Sequence, residues 1–185
     1  MVNYRRIRVP GGTYFFTVTL KDRRSALLID HVDALRLALD AMLVHLPTCI
    51  EAMVVLPDHL HAIWTLPAGD DNYPRRWHFL KSRFTHLVRR RGYIFSPGRK
   101  GEFQLWQSRY WEHLIVDEID FARHVDYIHF NPVKHGWARC PIDWRWSSIH
   151  RFVREGRLPP DWAGTSDLHI ENMKSRPAAT SSEKH

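Results

Sequence analysis

The chain has 185 residues and carries 27 Lys and Arg against 20 Asp and Glu, a net charge of +7. Its length suits one domain with a substantial core, its two cysteines argue against a disulfide framework, and it has no apolar run long enough to span a membrane. The N-terminus lacks the apolar core of a signal peptide, so we expect a cytoplasmic protein.

The first part of the chain predicts the order strand, helix, strand, turn, strand. Residues 13–20 are β-branched and aromatic, as in a strand. Asp30 offers an N-cap for a helix whose leucines follow at helical spacing until Pro47 stops it. Two further strands, 49–56 and 59–66, are joined by a tight turn.

The middle of the chain predicts another helix, a strand and a third helix. Residues 75–91 place apolar side chains on one helix face and most of the arginines on the others. Residues 103–111 predict a fourth strand or an aromatic-rich extended segment. Asp117 should cap the next helix, which we expect to end near Phe130 because Pro132 disfavours helix at the residue before it.

This order predicts an α+β protein with the ferredoxin-like split βαβ sheet and its helices on one face. We expect a single domain over residues 1–164, of which about 137–164 form a Trp-rich C-terminal extension. Residues 165–185 are polar and poor in aromatics, so we expect a disordered tail there.

Two histidines, His59 and His61, stand one residue apart in the third predicted strand. With 13 histidines in the chain, such a pair is expected about once by chance, so it carries weight only in context. Side chains alternate faces along a strand, so both imidazoles point the same way and can chelate one cation. A further ligand must come from elsewhere in the chain.

The predicted third helix carries Tyr127 and Asn131, which are neighbours on one face at a spacing of four residues. An adjacent apolar stripe should dock this helix on the sheet, and consists of Phe121, Val125 and Ile128. A phenol beside a metal-binding histidine pair suits DNA strand transfer, because the cation offsets the charge of the phosphate that the phenol attacks. Composition alone favours a core-edge tyrosine instead.

The surplus charge is concentrated between residues 75 and 110, where ten basic residues face one acid, Glu102. Such a block predicts a polyanionic partner, most simply nucleic acid, although a solvated helix face remains the alternative. Basic residues would hold phosphates and aromatic rings would stack on unpaired bases. The candidates are Arg75, Arg76, Lys81, Arg83, Arg89, Arg90, Arg91, Trp106, Arg109, Tyr110 and Trp111.

These motifs together resemble the single-tyrosine HUH transposases, and most closely their REP-associated tyrosine transposase branch. The resemblance rests on HLH after a strand hairpin and on RYWEHLI, FARHVDYIHFNPVKHG and DWRWSSIHRF in the second half. It covers roughly residues 5–155. It implies a ferredoxin-like nuclease that cuts single-stranded DNA near folded palindromes through a covalent 5′-phosphotyrosine.

The resemblance also implies roles for individual residues. His59 and His61 would be ligands of Mg²⁺ or Mn²⁺, and Tyr127 would be the nucleophile. The family usually has Gln one turn past the tyrosine as a further ligand, and Asn131 stands there in this chain. Asp58, beside the histidines, is an alternative ligand or acts through them.

Two other functions remain open at the level of sequence. A protein of the same fold could bind DNA hairpins without cutting them. A zinc hydrolase acting on a small substrate is disfavoured by the basic block and by the lack of a clear third ligand near the histidines. We expect a monomer that binds hairpin-containing single-stranded DNA and no membrane.

Overall fold

The structure is a computed structural model that describes residues 7–95 and 105–164. Four strands and five helices occur in these ranges, together with a short 3-10 turn at Pro141–Asp143. The strands are β1 (Thr13–Thr19), β2 (Cys49–Val55), β3 (His59–Thr65) and β4 (Trp111–Leu114). The helices are α1 (Leu27–Asp30), α2 (Val32–His45), α3 (Tyr73–Arg90), α4 (Glu118–Lys134) and α5 (Ile149–Arg154).

All four strands form one antiparallel sheet in the order β2-β3-β1-β4. The predicted α+β fold with a ferredoxin-like split βαβ sheet is confirmed. β3 and β1 are the two central strands, so the paired histidines of β3 lie in the middle of the sheet and not at its edge.

The two helices of the split βαβ unit, α2 and α3, pack on one face of the sheet as predicted. Phe16 of β1 and Trp64 of β3 point into this layer and are fully buried. The Trp64 ring stacks on Trp77 of α3, with 3.9 Å between the ring centroids and 13° between the planes. These large aromatic contacts fix α3 on the sheet.

The other face of the sheet is covered by α4 and α5. Phe15 and Ile63, which alternate with the residues of the first layer, pack there against Val125 and Ile128 of α4. Phe121 packs at the margin of this second layer. The apolar stripe predicted for the third helix therefore docks it on the sheet, on the face that carries the two histidines.

The segment between α4 and α5 follows the outer edge of β2. Trp144 donates its indole N–H to the carbonyl of Val55 at 2.9 Å, and Ser148 donates its backbone N–H to Met53 at 2.8 Å. The proposed tail, residues 165–185, lies outside the described residues. Among the helices that the structure describes, none has the length and apolarity to cross a membrane.

Three predicted boundaries are wrong. The fourth strand begins at Trp111, where the predicted strand 103–111 ends. The described residues before it, 105–110, form no strand, and Trp106 makes an isolated bridge with Leu20. Asp30 does not cap the predicted helix. It is the last residue of the short helix α1, whose two leucines are buried in the core, and His31 precedes α2.

The third error concerns Pro132, because α4 continues through it to Lys134. A proline near a helix C-terminus removes only the one hydrogen bond that its own missing N–H would make. Backbone N–H groups after the proline still donate to the carbonyls of the last turn. His135 donates to the carbonyl of Asn131 at 3.1 Å and Trp137 donates to that of Pro132 at 2.8 Å. Asn131 therefore keeps its helical place one turn beyond Tyr127.

Candidate active site

The two histidines of β3 lie side by side on the face covered by α4. His59 and His61 are 4% and 2% exposed, and their ring centroids are 5.0 Å apart. The Nδ1 atom of His59 lies 2.8 Å from a carboxylate oxygen of Asp58, and that of His61 lies 2.9 Å from the Thr17 hydroxyl. Such bonds commonly orient metal-ligating histidines, and with Nδ1 engaged the ligand atom would be Nε2.

Asp58 is held from two sides. One carboxylate oxygen contacts His59, and the other accepts from Arg23 at 2.6 Å. The backbone carbonyl of Asp58 accepts from Leu20 at 2.8 Å. Of the two roles considered from the sequence, this geometry fits orientation of His59 better than direct contact with a cation.

Tyr127 of α4 lies directly against the histidine pair. Its ring centroid is 5.0 Å from that of His61 and 5.8 Å from that of Phe15, and the side chain is 7% exposed. Burial raises the pKa of the phenol, and the nearby Asn131 amide only partly offsets this. The phenol is therefore neutral near pH 7 in the absence of a bound cation or substrate.

Asn131 is 1% exposed. Its amide lies close enough to the Tyr127 phenol to lower the pKa of that group, but neither the amide nitrogen nor the amide oxygen makes a hydrogen bond of ordinary geometry within the described residues. A buried polar group without a partner costs about 1–3 kcal/mol, so such groups in folded proteins often have an external partner. The amide oxygen is a suitable ligand for a hard divalent cation. A donor set of two imidazoles and one amide oxygen can hold a divalent cation, as the family resemblance implies.

Two groups beside this site were missed from the sequence. The first is His135, which follows Asn131 by four residues and whose ring lies 5.3 Å from that of His59. Burial lowers its pKa, and the imidazole of His59 adds to this. The spacing of four residues on one helix was a signal that would have placed His135 near the site.

The second missed group is a cluster of His113, Asp120 and His124. The Asp120 carboxylate accepts from His113 Nε2 at 2.8 Å and lies 3.1 Å from His124 Nδ1. Burial alone would raise the pKa of Asp120, but the hydrogen bonds from His113 and from the backbone of Val116 outweigh it and the pKa is lowered. The three ligand atoms lie within 4.8 Å of one another, close enough to hold a cation.

The cluster of His113, Asp120 and His124 also packs near Tyr127, through the ring of Phe15. The His124 ring stacks on His113 at 4.8 Å and lies 4.7 Å from Phe15, which contacts both Tyr127 and His61. His124 Nδ1 also lies 2.8 Å from the Asp120 carbonyl, the contact expected of a ring N–H that donates to it. Asp120 thus fixes the position of rings that pack behind Tyr127.

Part of the predicted DNA-binding set lines one groove of about 1160 Å³ beside α3. Trp106 is held there by a bond of 3.2 Å from its indole N–H to Thr85 and by the Lys81 ammonium 5.7 Å from its ring. Five of the predicted residues line the groove, namely Lys81, Arg89, Trp106, Arg109 and Tyr110. The groove lies on the α2 and α3 side of the sheet.

The remaining predicted residues lie elsewhere. Arg75, Arg83 and Arg90 are exposed on other faces of α3. Arg91 makes a two-pronged ion pair with Asp33, with N–O distances of 2.8 and 2.6 Å. Trp111 lies on the opposite side of the sheet, where its ring centroid is 5.5 Å from that of Phe15.

The prediction that Arg76 belongs to a DNA-binding surface is corrected, because this side chain is buried. It is 1% exposed, and its guanidinium donates to Asp70 at 2.8 Å and to the carbonyl of Pro47 at 2.8 Å. Its place on α3 is one turn from Tyr73 and Leu80, on the stripe that faces the core.

Comparisons with known proteins identify the family of this chain. The chain is 46% identical over 164 residues to the REP-associated tyrosine transposase of Escherichia coli strain K12, covering 89% of this chain and 92% of that protein. A protein of Haemophilus influenzae named for the same family is 43% identical over 173 residues, with 92% and 98% covered. No protein-family model matches the chain.

A solved structure of a REP-associated tyrosine transposase bound to a REP hairpin superimposes with a TM-score of 0.80 at 46% identity, over 89% of this chain and 93% of that one. The chain belongs to the REP-associated tyrosine transposases. Members of this family are enzymes of the HUH type. His59 and His61 form the HUH motif in this chain. The family is consistent with a divalent metal.

Replacing Asp120 by Asn tests whether the cluster of His113, Asp120 and His124 stabilises the fold beside Tyr127. The pKa of Asp120 is lower in the folded chain than the ordinary 3.8, so its charge stabilises the fold above that pH and this contribution is lost as the pH falls through the folded-state pKa. At pH 7 the variant should be about 1.5–3 kcal/mol less stable in urea unfolding. Its stability should also decline less than that of the wild type as the pH falls below about 4.

The matched control is Asp40→Asn, which changes an exposed carboxylate on α2. It should alter the unfolding free energy by no more than about 0.5 kcal/mol. Equal stabilities of the two variants at pH 7 would show that Asp120 does not stabilise this side of the sheet.

Proposed function

We propose that this transposase is a divalent-metal-dependent endonuclease and strand transferase for single-stranded DNA at repeated palindromic hairpins. The observation that carries the proposal is the contact of Tyr127 with His61, with ring centroids 5.0 Å apart, beside a second histidine on the same strand. The family membership supports it, and the solved relative was bound to a REP hairpin.

In the proposed reaction the Tyr127 oxygen attacks a backbone phosphorus as the phenolic proton leaves. The bond from phosphorus to the 3′ oxygen breaks, that oxygen takes up a proton, and the 5′ phosphate remains on the tyrosine. One phosphate ester replaces another, so a free 3′-hydroxyl can reverse the step without ATP. Packing against Phe15 and His61 restricts the ring, which favours a defined direction of attack.

His59, His61 and Asn131 would hold the metal in this proposal, which we take to be Mg²⁺ or Mn²⁺. A divalent cation would offset the charge of the scissile phosphate and orient it for in-line attack. Such assistance suits Tyr127, because its phenol is neutral near pH 7 and a neutral phenol is a weak nucleophile; burial, which raises its pKa, adds to this. Asp58 and Thr17 contribute by holding the two imidazoles in place.

The groove beside α3 would bind the hairpin-containing DNA. Its basic side chains suit phosphates, and the ring of Trp106 suits stacking on a base. In this proposal one copy of the chain acts on DNA in the bacterial cytoplasm. The ion pair of Arg91 and the burial of Arg76 leave these two arginines out of the proposed contact surface.

Tyr127→Phe tests the nucleophile, because it removes only the hydroxyl. Cleavage of a REP-type hairpin oligonucleotide should fall by at least about 1000-fold and the covalent adduct should vanish, while hairpin affinity stays within about twofold. Denaturing gels of labelled DNA measure both products. Covalent trapping by the Phe variant would exclude Tyr127, and a wild type that binds but never cuts would favour a hairpin-binding protein of the same fold.

His61→Ala tests the metal site. The affinity for Mn²⁺, measured by titration calorimetry on the protein alone, should fall by more than about 100-fold, because one of the proposed ligands is lost. Cleavage by the wild type should disappear in EDTA and return with Mg²⁺ or Mn²⁺, whereas the His61 variant should not recover it. The control His45→Ala, at the exposed end of α2, should match the wild type. Unchanged Mn²⁺ affinity in the His61 variant would remove the proposed site.

A pair of double variants on α3 and its neighbouring segment tests the groove. Arg89→Ala with Arg109→Ala should flatten the salt dependence of single-strand binding by up to about 1.4 units, at about 0.7 per phosphate contact. Arg83→Ala with Arg90→Ala removes the same charge from parts of α3 outside the groove and should leave the slope unchanged. Affinities across a salt series decide this, and equal slopes in the two double variants would show that the groove is not the DNA-binding surface.

A further inference from the structure

Trp111 shares a cross-strand row with one of the paired histidines. Thr17 of β1 is the register partner of His61 on one side and of Trp111 on the other. Residues opposite one another in neighbouring strands project from the same face of a sheet. Trp111 therefore lies on the face of Tyr127 and the histidines, two strand spacings or about 10 Å from His61.

The Trp111 ring is held in place but accessible. It lies parallel to His113 at 5.8 Å with 4° between the planes, and it meets Phe15 edge-on at 5.5 Å. Phe15 in turn contacts Tyr127. The side chain is nevertheless 37% exposed, so part of the indole is open to a ligand.

Tyr110 and Trp111 separate the two DNA-facing sides of the molecule. Tyr110 points into the groove beside α3, where it contacts Trp77, whereas Trp111 points to the face of the paired histidines. β4 is the outermost strand next to β1 among the described residues. A strand of DNA that leaves the groove therefore reaches Tyr127 by the shortest path around β4, past Trp111.

We propose that Trp111 is a stacking platform for the unpaired base next to the scissile phosphate, distinct from the hairpin contacts in the α3 groove. This inference rests on the proposed function of the site. Stacking would set which phosphate stands before Tyr127, so Trp111 acts as a positioning residue for the cleavage step. The parallel His113 ring beneath it and the edge of Phe15 would keep the indole in one orientation.

The test uses full-length protein and hairpin oligonucleotides that carry 2-aminopurine, a base whose fluorescence is quenched by stacking. The wild type first locates the cut. The probe is then placed at each unpaired position around it, and each oligonucleotide is bound to the uncleaving Tyr127→Phe protein. We expect one position beside the cut to be quenched, and the quenching to be lost when Trp111→Leu is added, since Leu retains apolar packing without a ring face.

Trp106→Ala in the same background is the matched control. It should weaken binding of the hairpin but leave the quenching beside the cut unchanged once the protein is saturated. Trp111→Leu should weaken tailed DNA about 5- to 100-fold, the loss expected for one stacked base, and leave a hairpin without unpaired tails unaffected. Trp111→Phe, which restores a ring face, should recover both the quenching and the affinity.

Three results separate the possible failures. If the wild type cuts but removal of Trp111 leaves quenching at every position unchanged, the stacking role is excluded while the proposed function stands. If Trp111→Leu weakens tailed and tail-free hairpins equally, Trp111 belongs to the hairpin contact or to the fold, and the inference also fails. If the wild type does not cut any of these oligonucleotides, the proposed function fails and the inference with it.

Discussion

The alternation of side chains along β3 is the constraint on which the rest of the structure depends. Trp64 and its even-numbered neighbours fill the layer under α2 and α3, so His59 and His61 must face α4. A register shift of one residue would turn both imidazoles into that aromatic layer and Trp64 out of it. The stacking of Trp64 on Trp77 therefore helps to fix the face of the sheet on which the histidines lie.

The site itself is a set of polar groups in a buried layer, and its contacts show how the protein tolerates them. Burial of a polar group is costly unless it is hydrogen-bonded. Asp58 bonds to His59, Thr17 bonds to His61, and Asp120 bonds to His124. Asn131 departs from this pattern within the described residues, because its weak contact with the Tyr127 phenol leaves the amide oxygen without a hydrogen-bond donor. On the proposed function the metal would be the partner of that oxygen.

Short-range periodicity explains what could be predicted from the sequence. The histidine pair and the spacing of Tyr127 and Asn131 need only the local geometry of a strand and a helix. The cluster around Asp120 depends on where β4 begins, which is set by pairing with β1 and not by local sequence. Arg76 looks like its basic neighbours in the sequence, and only its alignment with Tyr73 and Leu80 on the helix shows that it is buried.

The sheet separates the proposed DNA groove from Tyr127, and this separation bears on the kind of substrate that the fold can accept. Double-stranded DNA is stiff, with a persistence length of about 150 base pairs, so a duplex cannot turn around the edge of a four-stranded sheet. An unpaired strand has no such restriction. A hairpin held in the groove beside α3 would therefore reach the histidine pair through a single-stranded extension, whose shortest path passes β4. On the proposed function, the preference for unpaired DNA next to a hairpin follows from the placement of the two surfaces, without any need for the site to exclude duplexes by contact.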